Sequence, residues 1–296
     1  MNLIKPNRLL KGDTISIIAP SGYVDFNEIN NAKNYFESQG YNVKLGENIF
    51  EKYRYMAGND NARLSDLHNA FEDKEVNAII CARGGYGSIR LLNKIDYNII
   101  RNNPKIFCGY SDITALSALI LKRTGLITYS GPMAKSDFQA NELCEFTINN
   151  FWETLTNDRI KLYPKTEMFT TSNSAAGILF GGNLATIASL CGIDFIPDED
   201  FIFFAEDLNE PVYKIDKYFT QLLNIYQFRK SVKAIILGDF LETDNNIYLK
   251  DMFEEISHEF KIPVSGTYPI SHTKEKATIP IGGYAILNNG ILTVQY

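Results

Sequence analysis

The chain has 296 residues, 45% hydrophobic and 22% charged, a balance that supports a large buried core in one large domain or two of ordinary size. Its net charge of −6 argues against a nucleic-acid partner, which would need a basic stripe. The apolar run at 15–20 is too short for a signal segment or a membrane span, so a cytoplasmic protein with no membrane partner is expected. Cys81, Cys108, Cys144 and Cys191 form no CxxC pair and read as reduced thiols. His68, His258 and His272 stand far apart with no HExxH pattern, so neither a metal nor another cofactor is expected.

In chain order, residues 14–19 are a β-branched run that ends in the turn signal Pro20-Ser21-Gly22. Residues 27–39 read as a helix stopped by Gly40, and 41–45 as a second strand. Leu64, Leu67 and Phe71 recur at helical spacing within 61–71. A buried strand at 78–82 runs into Gly84-Gly85, and 88–92 is expected to open another helix. Residues 106–109 form a short strand, and 112–123 an Ala- and Leu-rich helix. This alternation predicts an α/β fold with a mostly parallel sheet covered by helices on both faces.

Residues 1–135 are assigned to this amino-terminal α/β domain. Residues 136–175 are polar and aromatic, with a helix at 142–155 and a Thr/Ser-rich stretch at 166–174, and are expected to connect two lobes. Residues 176–296 form a second α/β lobe with a strand at 201–205, a helix at 213–225, a strand at 234–238 and a β-rich end from 279.

Ser111 lies in GYSDIT (109–114), between a buried strand and a helix. Chemistry in doubly wound sheets collects at the carboxyl ends of strands, and a serine on such a turn has an exposed hydroxyl beside helix amides. The GxSxG elbow is matched only in part, because Ile113 holds the last glycine position. Taken locally, Ser111 or Asp112 reads as an N-cap for the helix at Ile113 rather than as a nucleophile. The turn CARGGYGSIRLL (81–92) has three readings: a dinucleotide loop lacking its third glycine, a purely structural turn, or an oxyanion donor through the Gly85 amide. Of the histidines, His68 and His258 lie on helices, whereas His272 lies in the loop PISHTKEKATIPIGG, where function concentrates. Glu206 follows the apolar strand FIFFA and is the candidate acid, with Asp207 and Glu210 as competitors or helix caps.

The chain resembles the LD-carboxypeptidase family, which includes enzymes that trim murein tetrapeptides and microcin immunity peptidases. The resemblance runs nearly end to end through GDTISIIAPSG, AGNDNARLSDLHNAF, ARGGYGSIRLL, PKIFCGYSDITAL, GGNLATIASLCG, AEDLNEPVYKIDKYF and HTKEKATIPIGG. It implies a flavodoxin-like amino lobe, a smaller α/β carboxyl lobe and a homodimer. It also implies a Ser111–Glu206–His272 triad, with Gly85 and Asp112 as oxyanion amides, acting on a murein peptide. Arg83 is a candidate to hold the substrate's terminal carboxylate. Ser130 stands where many members have histidine, and Ser271 where glycine is usual. The rival readings are hydrolysis of a toxin-like acyl-adenylate amide, with Trp152 or Tyr163 as an aromatic platform, and a non-catalytic nucleotide binder.

Overall fold

The four strands expected in the first half form, and a fifth that the sequence did not announce joins them: β1 (Thr14–Ile18), β2 (Asn42–Leu45), β3 (Val76–Cys81), β4 (Ile106–Cys108) and β5 (Thr128–Ser130). The computed structural model describes residues 2–139, 143–166 and 174–296. The five strands are parallel, in the order β2-β1-β3-β4-β5. This is the flavodoxin-like order, whose direction of winding reverses between β1 and β3. All five residues of β1 are buried, the pattern of a strand covered on both faces. The covering helices are α1 (Phe26–Ser38), α2 (Asp60–Glu72), α3 (Tyr97–Asn102) and α4 (Thr114–Thr124).

Beyond β5 come α5 (Ala134–Asp137), α6 (Glu145–Thr156), β6 (Arg159–Leu162), β7 (Ser174–Asn183), α7 (Leu184–Ser189) and β8 (Phe201–Leu208). They are followed by α8 (Val212–Leu223), α9 (Tyr226–Ser231), β9 (Val232–Leu241), α10 (Asn246–Phe260) and β10 (Val264–Ser265). The chain closes with β11 (Ile279–Ile281), β12 (Tyr284–Asn288) and β13 (Ile291–Gln295). A second sheet runs β10-β9-β8-β7-β12-β13-β6, parallel from β10 to β7 and antiparallel through β12, β13 and β6.

Two strands interlock the lobes. β11 leaves the carboxyl half to pair antiparallel with β5, Ile279 opposite Ser130. β6, from the expected connecting region, pairs with β13 at the edge of the second sheet. Sheet membership therefore crosses the sequence boundaries at 135 and 176. The start of the helix expected at 142 and most of the 166–174 stretch lie outside the described residues.

One local expectation is corrected. Residues 88–92 do not open an α-helix but make a single 3-10 turn, Ser88–Arg90. Its amides bond three residues back, Arg90 to Gly87 and Leu91 to Ser88, and the next helix starts afresh where the Asp96 side chain caps α3. Among the described residues no helix is long and apolar enough to cross a membrane.

Candidate active site

Three turns at the carboxyl ends of the amino sheet converge: Gly22 after β1, the glycine turn after β3 and Ser111 after β4. Ser111 opens a 3-10 turn (Ser111–Ile113) that leads directly into α4. Its φ of 62° puts a non-glycine residue in the left-handed region, a conformation that costs about 1–3 kcal/mol and persists only when its surroundings enforce it. Helix capping does not supply the reason, because no side-chain cap bond closes the start of the 3-10 turn or of α4. Asp112 instead turns its carboxylate away. It is buried and accepts from the Ser21 hydroxyl at 2.6 Å and the Ser88 amide at 2.9 Å, tying all three turns together.

The glycine turn packs against this serine. A Cβ on Gly84 would stand 2.7 Å from Ser111 Cβ, 2.8 Å from its Oγ and 3.4 Å from the Asp112 amide nitrogen. Any larger residue would force this turn or the serine to shift. Gly85, at φ 116°, then occupies backbone space closed to L side chains, so the Gly85 and Asp112 amides belong to two turns in van der Waals contact. Arg83, half-buried, folds back on the same turns, with Nε on the Gly84 carbonyl at 3.2 Å and Nη1 on the Tyr23 carbonyl at 3.3 Å.

The carboxyl lobe contributes an imidazole and an acid. Glu206 lies in β8, whose partner β7 places Asn183 beside it. Glu206 is 3% exposed, and its Oε2 stands 2.6 Å from His272 Nδ1. That pairing leaves the imidazole's other nitrogen for a second partner. His272 meets the nucleophile turn through Tyr110, the residue before Ser111, with ring centroids 5.1 Å apart in an edge-to-face arrangement. Burial pulls the His272 pKa down, but the hydrogen bond and charge of Glu206 outweigh it and hold the imidazole above the ordinary value of 6.5.

Asp207 points elsewhere. Its oxygens accept from Asn183 Nδ2 at 2.9 Å, the Ala185 amide at 2.8 Å and the Leu208 amide at 2.9 Å, so it supports the start of α7 rather than the imidazole. Burial pushes its carboxyl up to about 6. Glu210 pairs with Lys214 on the first turn of α8. His68 accepts from the Asp96 amide, and His258 sits in the last turn of α10, so neither joins this cluster.

Trp152 is a packing residue. It stacks on Tyr41 with centroids 4.9 Å apart and planes 7° from parallel, and its indole donates to Tyr35 at 2.9 Å. Tyr163 is exposed. Sequence reasoning missed Ser21, Ser88, Tyr110, Asp137 and Lys276. Ser21 carried a usable signal, since it directly follows a strand at the end of the sheet where chemistry collects. The other four owe their places to long-range packing that no local pattern announces.

Known proteins match along nearly the whole chain. The family model described as the LD-carboxypeptidase N-terminal domain matches residues 15–131, and that of the LD-carboxypeptidase C-terminal domain matches 176–287. A probable murein peptide carboxypeptidase of Bacillus subtilis is 35% identical over 96% of this chain and 91% of its own length. The solved muramoyltetrapeptide carboxypeptidase of Oxalobacter formigenes superposes with a TM-score of 0.87 at 33% identity, covering 96% of this chain and 99% of that one. An MccF-like protein of Bacillus anthracis superposes with a TM-score of 0.90 at 30% identity, covering 99% of each chain. With both halves matched in order and the folds superposing, the chain belongs to the LD-carboxypeptidase family.

Proposed function

We propose that the chain is a serine carboxypeptidase that removes the terminal D-alanine of murein tetrapeptides, with Ser111 as nucleophile, His272 as base and Glu206 as the acid that orients it. The observation that carries the reading is the left-handed Ser111 turn joined, through the preceding Tyr110 ring, to a part-buried His272–Glu206 pair. Family membership and the murein carboxypeptidases among the relatives support the substrate.

In this reading His272 takes the Ser111 proton as the hydroxyl oxygen attacks the carbonyl on the acyl side of the terminal residue. The Gly85 and Asp112 amides hold the oxyanion. His272 then gives its proton to the leaving amine and D-alanine departs. Water, deprotonated by the same imidazole, attacks the acyl carbon, and the imidazolium then returns the proton to Ser111 as the ester bond breaks. Glu206 holds Nδ1 and stabilises the imidazolium in both halves. Arg83 is assigned to the substrate's terminal carboxylate because its guanidinium lies next to the Gly85 turn.

A cytoplasmic homodimer acting on recycled wall fragments fits this chemistry. The buried free thiols Cys81 and Cys108 support a reducing compartment. The similarity to an MccF-like protein favours a second reading, in which the same triad opens an acyl-adenylate amide. Fluorophosphonate treatment followed by peptide mapping tests the shared machinery: the adduct is expected on Ser111, and a chain that stays unmodified is a binder, not this enzyme. Parallel incubation with a murein tetrapeptide and an acyl-sulfamoyl adenylate then separates the two substrates.

A further inference from the structure

A second buried charge pair stands beside the imidazole, four positions along its loop. Lys276 and Asp137 are 3% and 7% exposed, and their side chains form an ion pair between the carboxyl-lobe loop and α5. The Lys276 ammonium also lies 4.7 Å from the centroid of the Tyr110 ring and 3.4 Å from its hydroxyl. Tyr110 therefore carries Lys276 and His272 on one ring, immediately before Ser111. Further bonds hold the pair in place. Asp137 Oδ2 accepts from the Met133 amide at 2.9 Å and the Ser136 hydroxyl at 2.7 Å, and Thr147 of α6 receives the Lys276 amide at 2.8 Å.

A buried ion pair is a weak source of net stability, because desolvation offsets its attraction. Its value here is geometric. Ser130, Ser271, Tyr110, Glu206 and Lys276 line one small cavity, so the Lys276 end of the loop and the acid of the His272 pair share a wall. We propose that Lys276 is a positioning residue: bound to Asp137 and seated on Tyr110, it locks the His272 loop onto the Ser111 turn across the lobe boundary. The inference rests on His272 serving as the base for Ser111.

The pair also has an electrostatic signature. The charged and titratable groups facing the imidazole are Glu206 and Asp207 from β8, Lys276 from its own loop and Tyr110, which burial keeps neutral. Lys276 is the cation of this set and opposes protonation of His272. Its loss moves the acid limb of the rate profile to higher pH, while a fall in kcat with KM unchanged reads the positioning itself.

The test compares the full-length protein with Lys276→Met and with the double variant Lys276→Met/Asp137→Asn, which removes both buried charges and so guards against misfolding. Each is followed by kcat, KM and pH profile for D-alanine release, and by the pH dependence of fluorophosphonate labelling at Ser111. The expected result is a kcat loss on the order of 10²-fold with KM little changed in both variants, as for a misplaced catalytic group, and an acid limb at higher pH in Lys276→Met, where the Asp137 carboxylate is left unpaired. A double variant with wild-type kcat overturns the proposal. Labelling reads the same machinery without the peptide: normal labelling in the double variant overturns this proposal alone, whereas no labelling of the wild type overturns the triad with it.

Discussion

His272 Nδ1 stands 2.6 Å from Glu206 Oε2, although 66 positions separate the two residues and Glu206 belongs to β8 while His272 sits in a loop beyond β10. The loop is held to the sheet just before the histidine, where the Ile270 carbonyl accepts from the Asp239 amide at 2.9 Å. The acid and the imidazole are thus fixed by the carboxyl sheet, and the serine by the amino sheet.

Replacing Glu206 by Gln should lower kcat by about 10⁴-fold, the scale seen when a triad acid loses its charge and the imidazole its tautomer. Asp207→Asn should instead leave most of the rate while lowering stability by about 1 kcal/mol, because its amide oxygen can keep Asn183 and Leu208 as donors while the Ala185 amide loses its acceptor. Steady-state kinetics beside thermal denaturation distinguish the two. A rate collapse confined to the Asp207 variant would assign the acid to the wrong residue.

The pH profile carries a sign. A base must be neutral to accept the Ser111 proton, and Glu206 holds His272 above 6.5. Therefore kcat/KM should rise with pH to a plateau whose lower limb is centred above pH 6.5. In the Glu206→Gln variant the raising influence is gone, and the limb of the residual activity should move down. A limb that stays in place would separate Glu206 from the titration.

Ser111 is strained in the folded protein, which gives a stability prediction opposite to the catalytic one. Ser111→Gly should be inactive yet more stable by about 1 kcal/mol, since glycine adopts φ 62° without a Cβ penalty. Chemical denaturation compared with Ser111→Ala, which keeps the strain, measures the difference; equal stability of the two variants would mean that the turn is unstrained.

Gly84→Ala tests the packing of the two turns. Its Cβ would meet Ser111 Cβ at 2.7 Å, closer than carbon atoms approach, so either the glycine turn or the serine must move. A loss of about 1–3 kcal/mol and a large fall in labelling rate at Ser111 are expected. Full activity in this variant would show that the turns are not rigidly coupled.

Much of the fold was legible in the chain because three amino-lobe strands, β1, β3 and β4, are largely apolar runs with glycine or proline close behind, as at 14–22 and 78–85, whereas β5, the polar TYS at 128–130, carried no such signal. The expected 88–92 helix stops after a single turn whose amides bond three residues back, and the tie of Ser88 to Asp112, 24 positions away, leaves no local trace in the sequence. The exchange of β11 into the amino sheet was illegible for the same reason, since its three residues look like any edge strand. Ser111 read locally as a cap; the positive φ that sets it apart is a property of the folded backbone. Lys276 looked like one more loop lysine, and only its burial against Asp137 and Tyr110 distinguishes it.

The most direct test of Ser111 as the nucleophile of a murein carboxypeptidase is mass spectrometry of a murein tetrapeptide incubated with the wild type and with Ser111→Ala. The expected result is loss of one D-alanine with the wild type and a rate lower by roughly 10⁴- to 10⁶-fold with the variant, which remains folded. D-alanine release by Ser111→Ala at a near wild-type rate would contradict the account.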